Sequence, residues 1–277
     1  MKLSVNEITL MQQGDLLSHI KSCGQNGFRY MEVRKLALLR ALREGHTLDE
    51  IAGALREYGV SVPCVNAVES ITFHTSRSLR LMKEAAEYLF YCSRQLGCDC
   101  IEVIASFRAP TDDENAINDE TAKMLTELSD LARPFGLRLA LEYMGLPDSS
   151  VKTLRQSLDI VDRVGREDVG ILLDTWHHYA YGSAPEDVLL AKKGQIGFVH
   201  VSDCPARAPG TALRSESYLP GVGVVPITEI LRNVRAVGYD GVVSAEVFDA
   251  AVQAMEPAAC LGAIRETMTP VLAAAGF

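Results

Sequence analysis

Four residues of metal-ligating type each close an apolar run. Glu142 ends LRLALE (137–142), Asp174 ends VGILLD (169–174), His200 ends IGFVH (196–200) and Glu246 ends GVVSAE (241–246). A carboxylate in such apolar surroundings costs several kcal/mol if it is buried without a partner. Three carboxylates and one imidazole gathered at a point repel one another unless a divalent cation neutralises them. Three oxygen donors and one nitrogen, with no thiolate, suit Mn²⁺, Mg²⁺, Co²⁺ or Zn²⁺. One ion per chain is expected, Mn²⁺ first because oxygen dominates the donor set. A single acid at a strand end is ordinarily a solvated residue or a helix cap. Ligand types in four consecutive units, all at the downstream end, call for a common site.

The elements that must position this set can be read from the same chain. Short β-rich runs alternate with helical patterns eight times, the first four runs being LSVNEI (3–8), FRYMEV (28–33), VSVPCVNA (60–67) and CIEVIAS (100–106). Such alternation demands parallel strands joined by crossover helices, and eight units favour closure into a barrel whose strand C-termini share one mouth. In segment 119–136 the apolar residues Ala122, Leu125, Leu128, Leu131, Ala132 and Phe135 fall on one helical stripe; Thr153 followed by Gln156 opens the next helix, with stripe Leu154, Leu158, Val161. Gly27, Gly59, Gly97, Gly136, Gly165, Gly194 and Gly238 stand near helix ends just before a strand, where a left-handed residue is often required. The expected fold is α/β, a single (β/α)8 TIM barrel forming one domain over 1–277. The segment 203–226, DCPARAPGTALRSESYLPGVGVVP, is rich in turn formers and follows the strand of His200, which suits an active-site cover.

Composition narrows the class of work. The 277 residues carry a net charge of −9, 36 acidic against 27 basic, which argues against a nucleic-acid partner because phosphate binding draws on Lys and Arg. No apolar run approaches the roughly 18–20 residues of a membrane span, and the opening MKLSVNEITL lacks the features of a signal peptide. Seven cysteines without a C-x-x-C pair point to reduced thiols and a cytoplasmic protein. A small-molecule substrate is expected, with no nucleic acid and no membrane; a homo-oligomer is compatible with the sequence.

Four further residues are candidates for substrate contact. His177, three positions beyond Asp174 in DTWHH, could donate to a substrate oxygen or bind a second metal, and the substrate role is favoured for want of further ligands. Trp176, the single tryptophan, could form an apolar wall of the pocket or simply pack. Asn66, at the end of the third strand, could face the pocket or serve a turn, and Arg207 in the long loop could hold a hydroxyl or carboxylate.

These residues resemble the xylose-isomerase-like barrel superfamily, which holds sugar epimerases, inosose-modifying enzymes and endonuclease IV. Within it the chain is most similar to the 2-keto-myo-inositol isomerase (inosose isomerase) family, through MKLSVNE, TLDEIA (47–52), LTELSDLARPFGLRLALEYMG (125–145), LLDTWHHYAYGS (172–183) and VVSAEVF (242–248). The stretch HVSDCPARAPGT instead resembles the hydroxypyruvate-isomerase branch, and the residues just before Pro220 hold no arginine of the kind expected in the inosose branch. Phe107 and PGVGVV (220–225) offer none of the extra histidines of a three-metal endonuclease.

The resemblance implies that Glu142, Asp174, His200 and Glu246 bind the metal and that Glu142 and Glu246 are the catalytic pair. It implies a divalent-metal-dependent isomerase of an unphosphorylated keto-polyol, 2-keto-myo-inositol first, working in inositol catabolism by proton transfer through a metal-bound enediolate. Hydroxypyruvate isomerase, ketose 3-epimerase and inosose dehydratase are the alternatives on the same site. A non-catalytic sugar-binding barrel is disfavoured because both carboxylates are present.

Overall fold

A computed structural model describes residues 2–277, in which eight parallel strands close into a barrel in sequence order. The strands are β1 (Lys2–Asn6), β2 (Met31–Arg34), β3 (Val65–Val68), β4 (Cys100–Ile104), β5 (Arg138–Glu142), β6 (Val169–Asp174), β7 (Ile196–Val201) and β8 (Val242–Ala245). β8 pairs with β1 from Lys2–Val242 to Val5–Ala245, which closes the ring. Around them lie α1 (Leu16–Gln25), α2 (Lys35–Arg43), α3 (Leu48–Tyr58), α4 (Ser76–Gln95), α5 (Glu114–Ala132), α6 (Leu154–Val164), α7 (Thr175–Ala180), α8 (Ile227–Ala236), α9 (Ala250–Gln253) and α10 (Pro257–Ala275). Among the described residues, no helix is long and apolar enough to cross a membrane. All seven cysteines are free and buried.

All eight expected runs contain a strand, with shifted bounds where local chemistry intervenes. Pro63 has no N–H to offer a ladder, so the regular part of the third strand starts at Val65 and Tyr30–Ser61 remains an isolated bridge. Asn6 ends β1 early because its side chain accepts from the Ile8 N–H and caps a 3₁₀ turn, Glu7–Leu10. Thr153 caps α6 by accepting from the Gln156 N–H at 3.2 Å, whereas the Gln156 carbonyl turns to the Lys152 N–H, so the reciprocal half of a capping box is missing. The seven inter-unit glycines all have positive φ, Gly59 and Gly165 closing α3 and α6 at 62° and 63°.

The strands are buried on both faces, which is why they read as continuous apolar runs. Leu139, Leu141, Ile171, Leu173, Val199 and Val243 join the shell packed against the helices. The alternate residues Ala140, Leu172, Phe198 and Val242, with Cys64 and Cys100, form a separate apolar cluster inside the barrel. Two residues beyond Ala140, Leu172 and Phe198 on the same inward face come Glu142, Asp174 and His200.

Candidate active site

The four strand-end residues converge. One donor atom from each of Glu142, Asp174, His200 and Glu246 lies within 4.8 Å of the others, and all four side chains are buried. Asp174 and His200 are register partners on β6 and β7, and Glu246 follows β8, its N–H donating to Val201 O. Asp174 combines the two roles open to an acid at a strand end. Its Oδ1 caps α7, accepting from the N–H groups of Trp176 (2.6 Å) and His177 (3.2 Å), while Oδ2 has no hydrogen-bond partner.

Glu142 Oε1 and His200 Nδ1 are likewise buried without a hydrogen bond. His200 Nδ1 stands 3.5 Å from Glu142 Oε1 and 3.4 Å from Glu246 Oε2. Buried polar atoms are almost always satisfied, so three orphaned donor atoms aimed at one point match what a divalent cation requires. The donor set, three oxygens and an imidazole nitrogen, fits Mn²⁺ or Zn²⁺.

Electrostatics agree with a site short of positive charge. Burial pushes the Asp174 carboxyl up to about 7 against the pull of Arg214. Burial would also raise Glu246, but His200 and Arg214 outweigh it and hold this carboxyl at about 2. For His200, burial favours the neutral ring; Glu32 and Glu246 overrule it and raise the imidazole well above its usual range. Occupation of Nδ1 by a proton and by a cation exclude each other.

Glu246 is the most anchored member. Its Oε1 accepts from Asn6 Nδ2 at 2.9 Å and Asn66 Nδ2 at 3.2 Å, and its Oε2 from Arg214 Nη2 at 2.7 Å. Asn66 thus lies in the site. His177, fully buried, accepts the Gly145 N–H on Nδ1 at 3.0 Å, which leaves its ring proton on Nε2. That nitrogen lies 2.5 Å from Arg214 Nη1, which brings the imidazole and the guanidinium together beside the cluster. Its neighbour His178 is a different object: Nδ1 meets the Tyr143 hydroxyl at 2.9 Å and Nε2 meets Ala184 O at 2.8 Å, both inside the fold. Trp176 is wholly buried, packed edge-on to the His177 ring at 5.0 Å.

Arg207 is not brought to the cluster. It forms a two-pronged pair with Glu216 and stays exposed. The arginine that enters the site is Arg214, six residues before Pro220; the residues just ahead of that proline hold none of the kind that resemblance to the inosose branch leads one to expect. Its guanidinium lies 4.0 Å from the Phe248 ring centroid and 3.7 Å from Asp174 Oδ2. Asp203 folds the long loop so that it can deliver Arg214. Its Oδ1 accepts from Cys204 and Val225 N–H, its Oδ2 from Gly221 N–H, and its backbone bridges to Tyr218. Gly223 is required beside it, since a Cβ there would come within 2.4 Å of Asp203 Oδ1. No local sequence signal distinguishes Arg214 from Arg207. Asn6, Phe248 and two buried acids, Glu32 on β2 and Glu102 on β4, also lie at or beside the site although none is among the residues expected there from sequence.

Comparison with known proteins agrees with this geometry. The chain is 29% identical to the inosose isomerase of Bacillus velezensis over 248 residues, covering 90% of this chain and 89% of that one. It is 29% identical to the inosose isomerase of Halalkalibacterium halodurans over 251 residues, covering 90% and 88%. A crystal structure of the IolI protein with a binding zinc atom superposes with a TM-score of 0.94 at 25% identity, covering 99% of this chain and 98% of that one. The family model described as xylose isomerase-like TIM barrel matches residues 20–264. With the barrel, its strand-end cluster and this match in agreement, the chain belongs to the xylose isomerase-like TIM barrel family.

Proposed function

We propose that this protein is a divalent-cation-dependent isomerase of an unphosphorylated keto-polyol, with 2-keto-myo-inositol as its substrate and the cytoplasm as its location. The observation that carries the reading is the pair Glu142 and Glu246. They come from β5 and from the end of β8, with Asp174 and His200 between them, and all four share one buried cluster. The similarity to inosose isomerases over 90% of the chain supports the choice of substrate.

Glu142, Asp174, His200 and Glu246 would hold the cation, which when bound supplies polarisation of the substrate's carbonyl and adjacent hydroxyl oxygens. The oxygen-rich donor set favours Mn²⁺; the zinc of the IolI structure makes Zn²⁺ the competitor that a metal-content measurement separates. Glu246, ionised and fixed by Asn6, Asn66 and Arg214, takes the proton from the hydroxyl-bearing carbon next to the carbonyl. The electron pair of that C–H bond forms the C=C bond of an enediol. Glu142 delivers a proton to the former carbonyl carbon, the hydroxyl proton passes to the former carbonyl oxygen, and the carbonyl has moved by one position. In the reverse direction the two carboxyls exchange roles. His177 Nε2–H and Arg214 donate to substrate oxygens, and Trp176 and Phe248 form the apolar side that limits water.

Arg207, which could have held a carboxylate such as that of hydroxypyruvate, is committed to Glu216; the hydroxypyruvate alternative then rests on the resemblance of HVSDCPARAPGT to that branch. Incubating cation-loaded protein with 2-keto-myo-inositol in D₂O should place deuterium on carbon and yield the 1-keto isomer, both visible by NMR. Absence of exchange with this inosose and with other keto-polyols overturns the proposal.

A further inference from the structure

Beneath the cluster His200 makes a second set of contacts that the proposed reaction does not use. Its Nε2 lies 3.0 and 2.9 Å from the two carboxylate oxygens of Glu32. Glu32 belongs to β2, three strands from β7 around the ring, so its side chain reaches His200 across the lumen. Both side chains are completely buried. Barrel interiors are ordinarily filled with branched apolar residues, and a carboxylate placed there needs a reason.

We propose that Glu32 is a positioning residue for the cation site: it holds His200 by Nε2 so that Nδ1 alone faces the other three ligands. The inference rests on the cation reading above. An imidazole can turn about its Cβ–Cγ bond, and only one orientation presents Nδ1 to Glu142 and Glu246. A hydrogen bond from Nε2–H to Glu32 fixes both the orientation and the tautomer, the arrangement commonly found behind a metal-ligating histidine. Phe198 supports the ring from below, edge-on at 5.6 Å and 87°.

Another reading of the same residues is a second ion held by Glu32, Glu102 and His200, whose donor atoms also lie within 4.8 Å of one another. Chemistry argues against it. A neutral imidazole that gives Nδ1 to one cation keeps its proton on Nε2, and that N–H repels a second cation. Glu102 approaches Nε2 only to 4.0 Å, so Glu32 alone is at hydrogen-bonding distance.

The test compares Glu32→Gln, which keeps an oxygen acceptor without the charge, with Glu32→Met, which fills the volume with no acceptor of comparable strength. Affinities for Mn²⁺ and Zn²⁺ are measured by chelator competition on purified, metal-stripped full-length protein, alongside the Tm of the stripped form. The expected order is wild type, then Gln, then Met, with the Met variant binding about 10- to 100-fold more weakly whatever its Tm. Wild-type affinity in Glu32→Met overturns the inference, as does an equal loss in both variants that simply follows their Tm. Failure of the wild type to bind either ion overturns the cation reading and this inference with it, an outcome distinct from a wild type that binds and a variant that binds equally well.

Discussion

The two ends of the barrel lumen are built from the same strands with opposite chemistry. Towards the base, Cys64, Cys100, Ala140, Leu172, Phe198 and Val242 close the interior with apolar side chains. Two residues further along β5, β6 and β7 the inward positions become Glu142, Asp174 and His200, and the residue after β8 is Glu246. One rise of about 7 Å along a strand, two residues at about 3.3 Å each, separates a packed plug from a cluster with three orphaned donor atoms. The base excludes water and holds the strands, and the mouth concentrates charge that the base could not tolerate. Most of the cost of burying acids thereby falls at the mouth, where a cation can offset it, with Glu32 and Glu102 just beneath.

This division can be broken at either end. The largest effect should come from Glu246→Gln at the mouth, which keeps the shape and removes the charge. Turnover at saturating metal should fall by about 10² to 10⁴, and a variant retaining more than a tenth of wild-type turnover would remove Glu246 from the catalytic pair. At the base, Phe198→Ala should act on stability, lowering the unfolding free energy in urea by about 3–5 kcal/mol through lost burial and the cavity left behind. A loss below about 1 kcal/mol would mean that the base is not a close-packed plug.

A finer contrast lies within the loop 203–226. Arg214→Ala removes a guanidinium that touches Glu246 and faces His177, and should lower kcat/KM about ten- to hundredfold, in line with the loss of a charge-assisted hydrogen bond. Arg207→Ala removes an exposed partner of Glu216. Exposed ion pairs contribute little, and Leu213 N–H still donates to Glu216 at 3.0 Å, so KM should move by less than about threefold. Equal effects from the two substitutions would show that the loop, rather than Arg214 itself, matters to the site.

The sequence by itself determined the barrel and its four strand-end residues. Both are written in local pattern: eight alternations of apolar run and amphipathic helix, glycines near the helix ends, and an acid or histidine where four of the runs finish. A parallel strand in a barrel fixes which end of each run meets the others, so position in the run was enough to bring Glu142, Asp174, His200 and Glu246 together. What the tertiary structure alone decided lies in side chains that meet across long separations. Asn6 reaches Glu246 across 240 residues and Glu32 reaches His200 across 168, contacts that exist only once β8 has paired with β1. His177 and His178 are adjacent in DTWHH, yet one faces the cluster and the other bridges Tyr143 and Ala184, because α7 turns successive side chains about 100° apart. Arg207 and Arg214 lie in one irregular loop with no period to sort them; the hydrogen bonds that Asp203 gathers fold that loop and send Arg214 inward.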